Sequence, residues 1–179
     1  MSHHECSGNH GPPIYSSVHQ TLDELSFEKG IWGAAFDGDV QKLEKLLRTT
    51  HPSSADSSGY TALHYAARNN KEEACRVLLS SGADPNAQTH GGATPLHRAS
   101  LLGHITIVNL LLHYKADASI CDSDGKTALH KAAERNHFAV AQVLVQSNQE
   151  LKSMRDNKGL TPSECGTQSN VDMSKLLSL

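Results

Sequence analysis

No run of about eighteen apolar residues, the length a helix needs to cross a bilayer, occurs in this chain. The opening residues 1–7 (MSHHECS) also lack the apolar core of a secretion signal. The expected location is therefore cytoplasmic and/or nuclear, with no membrane partner. Cysteine is sparse: Cys6, Cys75, Cys121 and Cys165 stand far apart without a C-x-x-C pair. That spacing leaves out a disulfide framework and a zinc ribbon, and free thiols are expected. Charge of one sign is in little excess, since 16 basic against 19 acidic residues give a net charge of -3. The global pull of a nucleic-acid binder is missing, so nucleic acid is not an expected partner. Neither G-x-G-x-x-G nor G-x-x-x-x-G-K-[ST] is present, so a phosphate cradle is missing too. With 37% hydrophobic residues in 179, the chain still has enough apolar material to bury a core.

That material repeats. Gly59-Tyr60-Thr61-Ala62-Leu63-His64-Tyr65-Ala66-Ala67, Gly92-Ala93-Thr94-Pro95-Leu96-His97-Arg98-Ala99-Ser100 and Gly125-Lys126-Thr127-Ala128-Leu129-His130-Lys131-Ala132-Ala133 follow one another at an offset of 33 residues (59 to 92, 92 to 125). A fixed offset of this length marks an array of stacked supersecondary units. In each copy the threonine (Thr61, Thr94, Thr127) can cap a first helix, and Pro95 takes the position where a missing amide is harmless. The small pairs Ala66-Ala67, Ala99-Ser100 and Ala132-Ala133 let neighbouring helices approach closely. Asn70, Gly103 and Asn136 tolerate the left-handed backbone that reverses the chain. A second helix is predicted from the columns Ala74/Ile107/Val140, Val77/Leu110/Val143 and Leu78/Leu111/Leu144, which form one buried stripe. Polar turns follow around His90-Gly91, Ser123-Asp124 and Asn157-Lys158. The T-P-L-H-x-A pattern in register makes the array resemble the ankyrin-repeat family. The resemblance implies an all-α ankyrin-repeat solenoid of helix-turn-helix units joined by β-hairpin-like fingers, about five units with degenerate terminal caps.

Residues 1–20 are rich in Ser, Gly, Pro and His and read as a flexible tail. The repeat domain is expected over 21–179, with units at approximately 27–58, 59–91, 92–124, 125–158 and 159–179. Thr21 and Glu24 have the spacing of a capping box that opens a short lead-in helix, and Ser26 can cap the segment after it. Ile31, Trp32, Ala34, Ala35, Leu43, Leu46 and Leu47 outline a degenerate first unit. Aligning Ala34-Ala35 with Ala66-Ala67 puts Trp32 at the place of His64, His97 and His130, where it serves as a capping anchor. The last unit opens at Gly159-Leu160-Thr161-Pro162, 34 residues from Thr127 to Thr161, with Glu164 in the histidine's place. Val171, Met173, Leu176 and Leu177 supply a closing helix whose outer side is kept wet by Asp172, Ser174 and Lys175, as a terminal unit requires.

The 12 histidines are the first candidates for chemistry. His64, His97 and His130 sit one per unit. Packed helices lie about 8–10 Å apart, whereas a zinc ligand lies about 2 Å from its metal, so no two of them share an ion. The resemblance gives them a structural role, together with Thr61, Thr94 and Thr127: joining neighbouring units through their ring nitrogens. His3, His4, Cys6 and His10 are zinc-type ligands in a stretch without a preformed cage. Cys121 or Cys165 with His130 makes a nucleophile and base on paper, but no local signature supports either pair, and Cys121 aligns with Gln88 and Arg155. No catalytic residue, metal or cofactor is expected, and a thiol or metal enzyme is the remote alternative.

What remains is surface for another protein, bound by a monomer. The resemblance places the contact positions on the fingers (Ser57, Ser58, Tyr60, His90, Ala93, Ser123, Asp124, Lys126) and on the first helices (Tyr65, Arg68, Asn69, Arg98, Leu101, Leu102, Lys131, Glu134, Arg135), which line a concave face. Leu101 and Leu102 stand out because their counterparts are Arg68-Asn69 and Glu134-Arg135. Two readings stay open for them: a hot spot with Tyr60, Tyr65, His90 and Arg98, or packing beneath a neighbouring finger. An adaptor or inhibitor subunit with a second site in residues 1–20 is the alternative function. By resemblance, Asn86 matches the asparagine that a cellular hydroxylase modifies in other ankyrin repeats.

Overall fold

The computed structural model describes Phe27, residues 30–166 and residues 171–178. The tail, the lead-in helix from Thr21, the cap at Ser26 and the His3, His4, Cys6, His10 group lie outside the described residues. The described helices come in pairs: α1 (Ile31–Asp37) with α2 (Val40–Leu46), α3 (Ala62–Arg68) with α4 (Glu72–Ser80), α5 (Pro95–Leu102) with α6 (Ile105–His113), and α7 (Ala128–Glu134) with α8 (Phe138–Ser147). A 3₁₀ turn (Gln149–Lys152) leads to α9 (Pro162–Cys165) and α10 (Val171–Leu177). First helices pack in chain order, α1 on α3 on α5 on α7 on α9, and second helices form another layer, α2 on α4 on α6 on α8 on α10. The fold is an all-α solenoid. Among the described residues the only sheet-like pairing outside helices is an isolated bridge between Ala55 and Thr61.

Close packing of the first layer follows from its small pairs: Ala66, Ala67, Ala99, Ser100, Ala132 and Ala133 are all fully buried. The second layer buries the expected columns at Ala74/Ile107/Val140 and Leu78/Leu111/Leu144, each buried leucine contributing about 2 kcal/mol. A further column, Cys75/Val108/Ala141, is equally inaccessible, so Cys75 is core. Where the helix pairs reverse, Asn70, Gly103 and Asn136 have φ of 55°, 75° and 57°. Gly103 is doubly required, because a Cβ there would sit 2.6 Å from Nδ1 of the His137 ring. In α10, Met173 and Leu177 are buried while Asp172, Ser174 and Lys175 face solvent.

Lys115 is the counterpart of Gly82, 33 residues on (82 to 115), and keeps its left-handed backbone, φ 66° against 87°. A side chain in that region costs roughly 1 kcal/mol and Lys115 is exposed, so Lys115→Gly loses no packing. After subtracting the unfolded-state entropy that glycine adds, the variant is expected to be more stable by about 0.5 kcal/mol, measured by urea unfolding. A lower midpoint would contradict this account of the turn.

The units are joined by the three histidines. His64 Nδ1 accepts the Thr61 amide (3.1 Å), and its Nε2 lies 2.9 Å from the Ala93 carbonyl of the next finger. His97 repeats this with Thr94 (3.2 Å) and Lys126 (2.9 Å), and His130 with Thr127 (3.2 Å) and Leu160 (3.2 Å). Because an amide can only donate, each Nδ1 is bare and each Nε2 carries the proton. The imidazole thus takes the part a Glu or Gln plays in an ordinary capping box, and has a second nitrogen left to reach across the interface. Glu164 keeps the first half, accepting the Thr161 amide at 2.7 Å, but a carboxylate has no N–H to pass onward. Trp32 donates its Nε1–H to Ser54 O at 3.0 Å, within its own unit, while α1 starts without a side-chain cap at Gly30.

Sequence reading missed a second ladder. His104 Nε2 lies 3.0 Å from the Arg68 carbonyl and His137 Nε2 3.1 Å from the Leu101 carbonyl, so each ring closes the C-terminus of the preceding first helix. The 33-residue offset of these histidines (104 to 137) was the available signal. On the opposite loops, Ser53 Oγ accepts the Asp84 amide (2.9 Å) and Asn86 Oδ1 accepts the Asp117 amide (2.7 Å).

Candidate functional site

Each finger is closed by one hairpin bond: Asp56 N–H to Tyr60 O, Thr89 to Ala93, Asp122 to Lys126 and Asp156 to Leu160, at 2.9–3.0 Å. Three of these opening residues are aspartates, which sequence reading did not single out. Asp56 Oδ1 accepts the amides of Ser58 and Tyr60, Asp122 Oδ1 those of Asp124 and Lys126, and Asp156 Oδ1 those of Lys158 and Leu160. Such a side-chain bond fixes the turn without help from a partner strand. Neighbouring fingers are then stitched by backbone bonds, His90 N–H to Ser58 O, Ser123 to Gly91 and Asn157 to Asp124, at 2.8–3.1 Å.

Beside this row lie the first helices, and one position on them, 65, 98 and 131, looks back at the finger's opening residue. Tyr65 donates its hydroxyl to Asp56 Oδ2 at 2.6 Å, and Lys131 Nζ sits 2.6 Å from Asp122 Oδ2. Burial alone would raise both carboxyls. The Tyr65 hydroxyl and the Ser58 and Tyr60 amides outweigh it at Asp56, as Lys131 and the Lys126 and Asp124 amides do at Asp122, and both are held below the usual carboxylate range. The middle unit breaks the pattern, because Thr89 stands where its neighbours have aspartate. Thr89 Oγ1 still accepts the Ala93 amide, at 3.2 Å, but gives Arg98 no carboxylate. Arg98 turns instead onto the preceding finger: Nη2 donates to the Tyr60 hydroxyl, and the guanidinium lies 4.9 Å from the Tyr60 ring centroid. Its Nε is buried with no hydrogen-bond partner. Phe27, Phe36, Tyr60 and Tyr65 pack edge-on or tilted around this corner, with centroids 5.0–6.5 Å apart.

The expected contact positions divide by environment. Ser57, Ser58, His90, Ser123 and Asp124 are exposed at the finger turns, as are Arg68 at the end of α3 and Arg135 just after α7. Ala93 departs from the expectation: it is 7% exposed, because the His64 ring bonds its carbonyl and draws it under the finger. Lys126 and Glu134 bond each other, Lys131 is held by Asp122, and the Asn69 amide returns to Tyr65 O at 2.8 Å. Leu101 and Leu102 do not join the tyrosines. They line a surface pocket of about 380 Å³ with Arg135 and His137 of the next unit, and Leu102 is 43% exposed while Leu101 is half-buried. The neighbours in that pocket belong to a helix turn rather than a finger.

The remaining chemistry is quiet. Burial pushes the Cys75 thiol up to about 12, and burial likewise raises Cys121 and Cys165, so these thiols are poor sources of thiolate. Among the described residues no three His, Cys, Asp or Glu side chains are grouped to hold a metal ion. Among the same residues no helix is long and apolar enough to cross a membrane. Asn86 is half-buried, its side chain bonded to the Asp117 amide.

Comparison with known proteins agrees with this geometry. The family described as ankyrin repeats (3 copies) matches residues 31–120 and again 103–178. Ankyrin repeat domain-containing protein 39 of Homo sapiens is 50% identical over 80 residues, which is 44% of this chain and 44% of that protein. The Bos taurus protein of the same name is 52% identical over 59 residues, 32% of each chain. The alignments therefore span less than half the length of these curated relatives, whose names state the repeat and no partner.

Proposed function

Because the chain belongs to the ankyrin-repeat family, whose members are generally protein-interaction modules, we propose that it is a non-catalytic binding module holding one partner protein on the concave face formed by its fingers and first helices. The observation that carries this reading is Leu102: a leucine 43% exposed, in a pocket of about 380 Å³ shared with Leu101, Arg135 and His137, where the flanking units have polar residues. A large apolar side chain rimmed by charge in a pocket has the form of an interface hot spot. The finger tips, whose backbone is already fixed by Asp56 and Asp122, add polar contacts at little entropic cost.

The test is capture of partners from lysate by wild type and by Leu102→Glu. The substituted side chain points into an open pocket, so folding is expected to be unchanged, checked by the helical signal and the thermal midpoint. Burying a charge at a hot spot is expected to weaken capture by about tenfold or more. Equal capture by the folded variant would remove Leu102 from the interface. Mass spectrometry on the native protein reads, in the same material, whether Asn86 carries the added oxygen its position suggests.

A further inference from the structure

From the missing partner of Arg98, and resting on the binding face proposed above, we infer that this face selects acidic segments, with a carboxylate of the bound peptide taking the place of the aspartate that the middle finger lacks. In the units on either side, the residue at this helix position is bonded at 2.6 Å to a finger carboxylate, Tyr65 to Asp56 and Lys131 to Asp122. Arg98 alone of the three faces threonine, at Thr89. Among the described residues it has no carboxylate within salt-bridge distance, and its Nε is buried without an acceptor. A planar guanidinium is matched by a carboxylate, which takes two parallel N–H bonds, and among the described residues Arg98 has the Tyr60 hydroxyl on Nη2 as its acceptor. The hydroxyl of Tyr60 cannot provide both. Its ring holds the guanidinium in place from one side, at 4.9 Å, and limits the rotamer freedom lost on binding.

The surrounding charge points the same way. Arg68 at the end of α3 and Arg135 in the turn just after α7 are exposed and also lack a carboxylate partner among the described residues. The basic groups with nearby acids, Lys126 and Lys131, are neutralised by Glu134 and Asp122. Three successive units thus each present one arginine without a carboxylate partner among the described residues, although the chain as a whole carries -3. The Leu101 and Leu102 pocket shares its wall with one of them, Arg135. The occupant that fits is a peptide segment with Glu or Asp beside a large apolar residue.

Thr89→Asp tests this directly, since aspartate at the equivalent positions 56 and 122 makes the same finger bonds and would supply Arg98 with its carboxylate in cis. A random peptide library displayed on phage is selected on the full chain. Peptides enriched by wild type are then synthesised and titrated against wild type, Thr89→Asp, Arg98→Gln and Leu102→Glu. The expected result is enrichment of Glu and Asp next to apolar residues. Affinity should fall about tenfold or more in Thr89→Asp and in Arg98→Gln, and by a similar factor when the peptide's Glu or Asp becomes Gln or Asn. Thr89→Asp should melt no lower than wild type. Peptides without acidic enrichment that still fail on Leu102→Glu would overturn the carboxylate role and leave the face standing. Peptides that bind all variants alike, or no enriched peptide at all, would overturn both.

Discussion

Replacing His97 with alanine is expected to cost about 3–5 kcal/mol, because one buried ring holds both a helix start and a unit interface. His97 is 2% exposed. Its removal leaves the Thr94 amide without the acceptor at 3.2 Å and the Lys126 carbonyl without the donor at 2.9 Å. Each orphaned buried group costs about 1–3 kcal/mol, and the vacated volume adds to this. The effect should exceed that of an ordinary cap, which is worth about 1 kcal/mol, since alanine at a cap usually lets water in and here the site is sealed. For a domain of this size the thermal midpoint should drop by about 10 °C. Because the lost bond lies between central units of a solenoid held only by neighbour contacts, the urea transition should also broaden as the two halves unfold less cooperatively. His97→Gln separates the two halves of the role: glutamine can accept the Thr94 amide as in a standard capping box, but has no second reach to Lys126. It should lie between wild type and alanine. An alanine variant within about 1 kcal/mol of wild type would mean that the Thr94 and Lys126 bonds of His97 are not what joins the units.

The 33-residue register of the Thr, His and small-pair positions carried the solenoid, because each is fixed by an intrinsic need of the repeat: a cap, a bridging ring, close helix approach. Trp32 and Glu164 were legible as departures: Glu164 keeps the capping half of the histidine's work, and the Trp32 ring bonds Ser54 O within its own unit. The face was harder. Leu101 and Leu102 were visible as an anomaly, yet nothing in their spacing said that Arg135 and His137 would be their neighbours, since that depends on how α5 and α7 stack. Ala93 reads as a finger residue in an alignment but is drawn under by His64, a contact 29 residues away in sequence. The loss of aspartate at Thr89 was present in the sequence all along. It becomes meaningful only once Tyr65 and Lys131 are seen bonded to Asp56 and Asp122.

Acid should loosen this array well above the range where carboxylates titrate. Burial, only partly offset by the bond to the Ala93 carbonyl, pushes His64 down to about 4, with Arg98 and His97 acting in the same direction and Asp56 against it. Burial likewise lowers His97 and His130. The bonding explains why: a second proton would have to go on Nδ1, which faces the Thr61, Thr94 and Thr127 amides, donors that cannot reverse. Each group's folded value is lower than its unfolded value near 6.5. The stabilisation is therefore complete above that pH, and is lost as the pH falls through 6.5 toward the folded value, where the unfolded chain binds protons that the folded chain refuses. The slope approaches about 1.4 kcal/mol per pH unit for each histidine, and His64 alone accounts for about 3 kcal/mol between pH 6.5 and 4. Asp56 and Asp122, held low, add their losses only below their ordinary value of 3.8. Two windows should thus appear in urea unfolding followed from neutral to acid pH, the first belonging to the histidines. In His97→Gln that first window should shrink, since one refusing ring is gone, while the carboxylate window stays. A stability flat between pH 7 and 5 would contradict neutral, amide-facing rings. If the slope is found, the added protons act at Nδ1, against the Thr61 and Thr94 amides at the helix starts, while Nε2 keeps its N–H on the Ala93 and Lys126 carbonyls beneath the fingers. The geometry of the proposed binding face would then depend on pH through the helix starts of its scaffold.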